Sequence, residues 1–180
     1  MSEKQESAVL QANKKHLQSF EKCFRVYGDT VFALIYNLIG RRAEAEEITQ
    51  DVFLAYLKYL LKRGEVKSAA DFIFKSARNR ALDYARKQKR RDEIFRETFF
   101  NRNQDNNPAE EPEPELVARL NNAVATLPPE QKEVLLLKIY GRQQFKGIAG
   151  ICGIPLKTAI SRYQYALAKL RKILEHNHEK

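Results

Sequence analysis

The chain has 180 residues, of which 31% are charged and 43% hydrophobic, and it contains no Trp. This length allows one ordinary domain or two small ones, and the few Gly and Pro residues suit soluble, helix-rich folding. A net charge of +9 and a pI near 9.5 favour a polyanionic partner such as a nucleic acid.

Four helices are predicted before the first proline, at residues 9–26, 29–38, 43–62 and 69–91. Asp29 is a candidate cap of the second helix, and Ser68 with Asp71 forms a capping-box-like pair at the start of the fourth. The gaps hold glycines, for which positive φ is least costly: Gly28, Gly40 and Gly64. No stretch alternates apolar and polar residues for the length of a strand, so we expect an all-α fold.

The segment 45–61, AEEITQDVFLAYLKYLL, is acidic at its start and then strongly apolar. Its apolar residues are too many for one narrow core stripe: Val52, Phe53, Tyr56, Leu57 and Leu60. Two interpretations stay open, an internal amphipathic helix and a helix with one face for a partner helix.

The segment 72–91, FIFKSARNRALDYARKQKRR, holds eight Lys/Arg and one acid, with apolar residues close to helical spacing. Aromatic and cationic side chains alternate along it, which suits single-stranded or opened DNA, at roughly 1–3 kcal/mol per stacked base. Ile73 and Phe74 are expected in the core instead. The preceding loop, residues 63–70, is a candidate for holding a flipped base.

Residues 101–115, NRNQDNNPAEEPEPE, contain three prolines, five acids and no aliphatic residue larger than Ala, which predicts a flexible acidic linker. Residues 92–100 are predicted as a short helix packed on the first domain. The expected organisation is therefore a domain at 1–100, the linker at 101–115 and a second domain at 116–180.

Helical patterning returns in the second domain at 116–127, 129–140 and 145–151, followed by a turn at Gly153 and a last helix at 156–174. Helix, tight Gly turn, helix is a helix-turn-helix plan. The last helix has an apolar face made of Leu156, Ala159, Tyr163, Leu167, Leu170 and Leu174. Its polar face suits a major groove, with Arg142, Lys146 and Arg162 as phosphate contacts.

No catalytic or metal-binding constellation stands out. Cys23 and Cys152 are far apart in sequence, and His16, His176 and His178 are scattered or terminal. There is no paired-carboxylate site, Ser/His/Asp set or phosphate-binding Gly loop, so we expect no enzyme, cofactor or metal. No apolar run reaches membrane-spanning length and MSEKQES lacks a signal-peptide core, which predicts a cytoplasmic protein.

These pieces, in this order, resemble a bacterial RNA polymerase sigma factor of the extracytoplasmic-function group. AEEITQDVFLAYLKYL is similar to the family's polymerase-binding stretch, and residues 77–86 carry its ARN-x-A-x-D-x-x-R pattern. Residues 127–137 carry its LP-x-x-x-x-x-V-x-x-L core, and residues 145–174 are similar to its minus-35 helix-turn-helix. The resemblance spans residues 20–174.

The resemblance implies a non-enzymatic subunit that binds core RNA polymerase and directs promoter recognition, DNA opening and transcription initiation, while the polymerase supplies Mg²⁺. The polymerase clamp helices would bind Glu46, Glu47, Ile48, Gln50, Asp51, Phe53, Leu54, Tyr56 and Leu57. The non-template strand at minus ten would bind Phe72, Lys75, Arg78, Asn79, Arg80, Asp83, Tyr84, Arg86 and Lys87. Minus-35 duplex DNA would bind Arg142, Lys146, Lys157, Thr158, Ser161, Arg162, Gln164 and Tyr165.

Two departures from the family pattern keep alternatives open. Ile160 stands where a cation is common, and Lys146-Gly147 replaces a frequent acidic pair in a helix that Gly147 and Gly150 weaken. The second domain is therefore a candidate for docking on an accessory DNA-locating protein rather than on minus-35 DNA. An anti-sigma factor is a further candidate partner, and a helix-turn-helix regulator that is no polymerase subunit is the rival function.

Overall fold

A computed structural model describes the backbone of residues 3–98 and 115–176, with side chains over 10–91 and 119–175. The described residues form helices without strands, which confirms the all-α prediction. The helices are α1 (Glu3–Ile39), α2 (Arg42–Arg63), α3 (Ala69–Thr98), α4 (Glu115–Ala125), α5 (Pro129–Ile139), α6 (Phe145–Cys152) and α7 (Leu156–His176). All of the predicted linker except Glu115 lies outside the described residues.

Helices α1, α2 and α3 pack together as a first helical unit, and α1 corrects the sequence prediction. Two helices were expected, with a break at Gly28 and a cap at Asp29, but α1 is continuous through both positions. A glycine inside a helix costs about 1 kcal/mol. Apolar side chains continue at helical spacing through Tyr27, Val31 and Leu34 and pack into the core, which outweighs that local cost.

Helix α3 begins as predicted and ends later. The backbone N–H of Asp71 donates to Ser68 Oγ at 3.2 Å, which confirms the predicted Ser68 cap. The backbone stays helical through Thr98, so residues 92–98 continue α3 and are not a separate short helix. Residues 99 and 100 lie outside the described part of the chain.

Helices α4 to α7 form the second helical unit, in which α5, α6 and α7 give the predicted helix-turn-helix. Gly153 adopts φ 68° and ψ 37°, the left-handed conformation that ends α6 and lets α7 begin. On α7, Ala159, Ala166 and Leu170 are buried. Leu156 and Leu167, predicted on its apolar face, are exposed because that face is narrower than the sequence suggested.

The two units pack against each other through α5 and α6. Five consecutive residues of α5, Glu133 to Leu137, are buried. A helix can bury adjacent residues in this way only if neighbours cover more than one face. Leu135 packs with the α4–α7 cluster, whereas Val134 and Leu137 belong to the core that also contains Ile73 and Phe74. One apolar core therefore joins the units.

None of the described helices combines the length and the apolarity needed to cross a lipid bilayer.

Candidate polymerase and nucleic-acid interfaces

The first half of α2 presents an acidic face to solvent. Glu46, Glu47, Gln50 and Asp51 are exposed, and Leu54, at 47% exposure, adds an apolar side chain beside them. Exposed apolar groups rimmed by polar ones are typical of protein-binding surfaces. This surface, residues 46–54 of α2, is called the acidic face below.

Four of the nine predicted polymerase contacts are not fully exposed. Phe53 is 2% exposed and lies edge-to-face on Phe24, with ring centroids 4.9 Å apart. Tyr56 is equally buried and packs on Phe72 at 5.8 Å. Both rings are part of the core, so in this structure they are not exposed to a partner as predicted. They support the surface of α2 from below. Ile48 and Leu57 are half-buried at its edge.

An aromatic groove next to the acidic face was missed by the sequence analysis. It lies between α1 and α2, encloses about 560 Å³ and is lined in part by Phe20, Phe24, Phe32 and Thr49. Phe24 remains half-exposed in spite of its contact with Phe53. The four-residue spacing of Phe20 and Phe24 is a signal that could have revealed it.

Of the nine predicted strand-binding residues on α3, five are exposed and four, Phe72, Arg78, Arg80 and Tyr84, are half-buried. Those that are exposed to solvent are Lys75, Asn79, Asp83, Arg86 and Lys87. Phe72 is half-buried against Tyr56 and Tyr59, so its ring is not free to stack on a base in this conformation. Ile73 and Phe74 are fully buried, as the sequence analysis expected.

Two polar contacts join α3 to α2. Arg80 Nη1 lies 3.2 Å from Asp51 Oδ2, and the Tyr84 hydroxyl donates to Glu44 Oε1 at 3.1 Å. Burial, and then the bond to Glu44, raise the pKa of Tyr84. The pKa of Glu44 is lowered, mainly by a backbone hydrogen bond. Burial alone would raise this pKa, but hydrogen bonds from Tyr84 and Arg41 to the carboxylate lower it further. Through Asp51, the acidic face is in direct contact with α3.

Arg78, the arginine of the ARN pattern, contacts the other unit. Its guanidinium donates through Nε and Nη2 to the two carboxylate oxygens of Glu133 on α5, with Nη2 to Oε2 at 3.3 Å. The side chains are 20% and 7% exposed, respectively. Burial alone would lower the pKa of Arg78, but the hydrogen bonds and charge of Glu133 raise it. Sequence analysis missed Glu133, although a lone acid before four apolar residues was a signal.

The predicted minus-35 residues of α7 are exposed to different degrees. Lys157, Gln164 and Tyr165 are exposed, whereas Thr158, Ser161 and Arg162 are half-buried. The Ser161 hydroxyl donates to the Thr158 carbonyl at 3.1 Å, so its oxygen can still accept. Arg142 and Lys146 are exposed before and within α6. This arrangement leaves a polar strip along one helix, as major-groove reading requires.

Among the described side chains, no three His, Cys, Asp or Glu groups are arranged to hold a metal ion.

Two parts of the chain match regions of one known protein family. The profile described as Sigma-70 region 2 matches residues 23–91, and that described as Sigma-70, region 4 matches residues 118–170. The chain belongs to the sigma-70 family. Every residue predicted for the polymerase and for minus-ten DNA falls in the region 2 match, and every minus-35 residue falls in the region 4 match.

Sequence relatives place this sigma-70 protein in the extracytoplasmic-function group. The chain is 27% identical over 172 residues to the ECF RNA polymerase sigma factor SigE of Mycolicibacterium smegmatis; the match covers 91% of the chain and only 65% of that protein. It is 28% identical over 169 residues to the ECF RNA polymerase sigma factor RpoE of Cereibacter sphaeroides, covering 92% of each.

Solved structures share the sigma-70 fold described above. The sigma factor RpoE of Bartonella quintana, solved with the anti-sigma factor NepR, matches with a TM-score of 0.70 and 20% identity over 88% of this chain and 98% of that one. CnrH, solved with the cytosolic domain of CnrY, matches with a TM-score of 0.66 and 18% identity over 93% and 95% of the two chains.

Proposed function

We propose that this sigma-70 protein binds core RNA polymerase and directs it to promoters, where it helps to open the duplex and start transcription. The observation that carries the proposal is the order of parts: an exposed acidic face on α2, a cation-rich α3 and a helix-turn-helix, inside matches to regions 2 and 4. Because the partner is bacterial polymerase, the proposal places the protein in the cytoplasm. The polymerase supplies the chemistry, and this chain supplies recognition.

The acidic face is the proposed docking site for the polymerase clamp helices. Glu47 and Asp51 provide negative charge that steers a basic partner, and Leu54 provides an apolar contact beside them. The core rings of Phe53 and Tyr56 hold α2 rigid beneath this surface. Rigid support reduces the ordering cost that binding would otherwise incur.

The cation-rich face of α3 is the proposed binding site for the non-template strand at minus ten. Lys75, Arg86 and Lys87 can follow phosphates, and Arg78 and Tyr84 offer planar groups for stacking. Opening of the duplex follows if this face binds a single strand better than paired DNA, because a ligand shifts an equilibrium by its differential affinity.

The polar strip of α7 is the proposed reader of minus-35 duplex DNA. Gln164 can form a bidentate pair with adenine, and Lys157 and Arg162 can contact guanine or phosphate. The alternative, docking on an accessory DNA-locating protein, has one supporting observation: Gly147 of α6 already packs near Asp71 of α3, so this side of the unit accepts a protein surface.

In vitro transcription with the cognate core polymerase on fragmented genomic DNA tests the proposal. The expected result is initiation at discrete start sites that share upstream elements, only when both the chain and the core are present. Footprinting then separates the two roles of α7. Loss of protection around minus 35 on changing Ser161, Gln164 and Tyr165 to Ala supports DNA reading. Absence of any core-dependent start site contradicts the sigma function.

A further inference from the structure

The residue proposed to hold the melted strand is covered by the chain itself. Arg78 lies in the interface between the two units, with both carboxylate oxygens of Glu133 on its guanidinium. A guanidinium held by a carboxylate in this forked geometry is neither free to stack on a base nor to pair with a phosphate. The arrangement therefore blocks one part of the strand-binding face.

A glycine allows the close approach of the units. A Cβ built on Gly147 of α6 would lie 3.1 Å from Gln143 Oε1 and 3.7 Å from Asp71 Oδ1 at the start of α3. A side chain larger than a methyl group would have to displace the side chains of Gln143 and Asp71. An acidic side chain at position 147, as in the pattern expected of the family, would place a second negative charge near Asp71 and oppose this contact.

Further contacts extend the interface beyond the ion pair. Asn37 Nδ2 of α1 lies 3.5 Å from the Tyr140 hydroxyl at the end of α5. Val134, Leu137 and Ile148 of the second unit share the apolar core of the first. Three kinds of contact, ionic, polar and apolar, therefore hold the same closed arrangement.

We propose that the free chain is autoinhibited: the second unit closes over α3, and the Arg78–Glu133 pair locks strand capture until the units separate. The proposal rests on the proposed function in one respect, the role of Arg78 in holding single-stranded DNA. The lock is reversible because separation returns both charges to water together. Removing only the carboxylate leaves an unpaired buried cation, which opposes closure.

Glu133→Gln tests the lock, and Glu130→Gln is its matched control. Glu130 lies one turn earlier on α5, is exposed, and carries the same charge. Any general gain in DNA affinity from losing one negative charge therefore appears in both variants. The measurements are the affinity of the full chain, without polymerase, for a fluorescein-labelled single-stranded oligonucleotide and its radius of gyration by small-angle X-ray scattering.

We expect Glu133→Gln to bind the oligonucleotide about tenfold more tightly than Glu130→Gln, equivalent to about 1.4 kcal/mol, and to be more extended in solution. Equal affinities and equal radii in the two variants would overturn the lock.

A wedge at Gly147 provides a second test that leaves both charges in place. Gly147→Leu is expected to force α6 away from α3 and to tighten strand binding. Gly150→Leu, on the same helix with no atom within 4 Å of its Cβ position, is expected to bind as the unchanged chain does. If Glu133→Gln proves misfolded by circular dichroism, this pair decides: indistinguishable affinities overturn the proposal.

Core-dependent transcription by the unchanged chain separates failure of the lock from failure of the function. Initiation with no difference between the variant pairs rejects autoinhibition and keeps the sigma function. Extended variants with tighter strand binding, but no initiation by any of them, support the closed state and reject the sigma function.

Discussion

The cations on α3 differ in how strongly they are engaged within the chain. Arg78 is held in a mostly buried fork by Glu133, whereas the Arg80–Asp51 pair is largely exposed. Exposed pairs contribute about 0–1 kcal/mol and yield to salt or a competing ligand. A buried pair whose charges are both satisfied exchanges slowly with an outside anion. Arg80 is thus available to a phosphate in the free chain, and Arg78 is not.

Leu54 is the residue on which polymerase affinity should depend most. Leu54→Ala is expected to weaken binding to core polymerase by about tenfold, because the exposed part of the Leu54 side chain would lose the apolar surface that it buries against the partner. The free energy of unfolding of the Leu54→Ala chain should change by less than about 1 kcal/mol, since the Leu54 side chain is already about half exposed to water. Affinity is measured by fluorescence anisotropy of labelled chain titrated with core enzyme.

Leu61→Ala is the control for Leu54. Leu61 lies two turns further along α2 with 49% exposure, and it is not part of the acidic face. Equal losses of affinity in the two variants would mean that the partner does not centre on Leu54.

The thiol of Cys152 reports on the closed interface. Burial, followed by the negative charge of Glu133, raises the pKa of Cys152 from 9.0 to about 11. In a Cys23→Ala chain, we therefore expect reaction with Ellman's reagent at pH 8 to be much slower than for a free thiol and to accelerate as pH approaches 11. Glu133→Gln should raise the rate. If Cys152 in the folded chain reacts as fast as Cys152 in the urea-unfolded chain, the thiol is not buried in the interface.

The sign of the linked stability change follows from the same shift. The neutral thiol is favoured in the folded chain, so its contribution to stability is fully present below pH 9. It declines as pH rises from 9 towards 11, where the unfolded chain ionises first.

At the scale of single elements, turn chemistry was predictable and helix continuity was not. Ser68 and Gly153 act through their immediate neighbours, so local sequence predicts the start of α3 and the turn before α7. Gly28 has the same local signal for a break, yet α1 continues because packing on α2 and α3 decides. The apolar width of α2 was ambiguous for a similar reason: Phe53 and Tyr56 are buried by α1 and α3, which are distant in sequence.

Gly150 inside α6 and Gly153, which ends it, give opposite predictions for substitution by alanine. Gly153→Ala is expected to destabilise the chain by about 1–2 kcal/mol because alanine strains at φ 68°. Gly150→Ala is expected to stabilise it by up to about 1 kcal/mol, since its Cβ meets open space in a helix. Urea unfolding followed by circular dichroism measures both. A stabilising Gly153→Ala would rule out the left-handed turn.

At the scale of the whole molecule, the sequence indicated the two helical units and their roles, but not that they pack together. The Arg78–Glu133 contact joins residues 55 positions apart, across a segment whose composition predicts a linker. An ion pair between two helices does not change the pattern of apolar and polar residues along either helix, so sequence periodicity does not predict it. The only local signs were the unbroken apolar run after Glu133 and the glycine at 147, and each has simpler explanations when taken alone.

A shared core predicts that the two units unfold together. In single-cysteine chains, Cys23 reports on the first unit and Cys152 on the second as urea exposes each thiol. We expect coincident midpoints for the otherwise unchanged chain, because an unfolded unit would expose the apolar side of its neighbour. Gly147→Leu should separate the midpoints, and Gly150→Leu should not. Widely separated midpoints in the unchanged chain would contradict a common core.

The burial of α5 on both sides has a practical consequence for protein engineering. Exchange of one half of this chain for that of a relative would bring together surfaces never selected to meet. In such a hybrid the two units would fail to pack against each other. The proposed autoinhibition would then be lost, and Val134 and Leu137 would be exposed to solvent, which favours aggregation. A working hybrid will need α3 and α5 to be taken from the same protein, because their surfaces pack on each other.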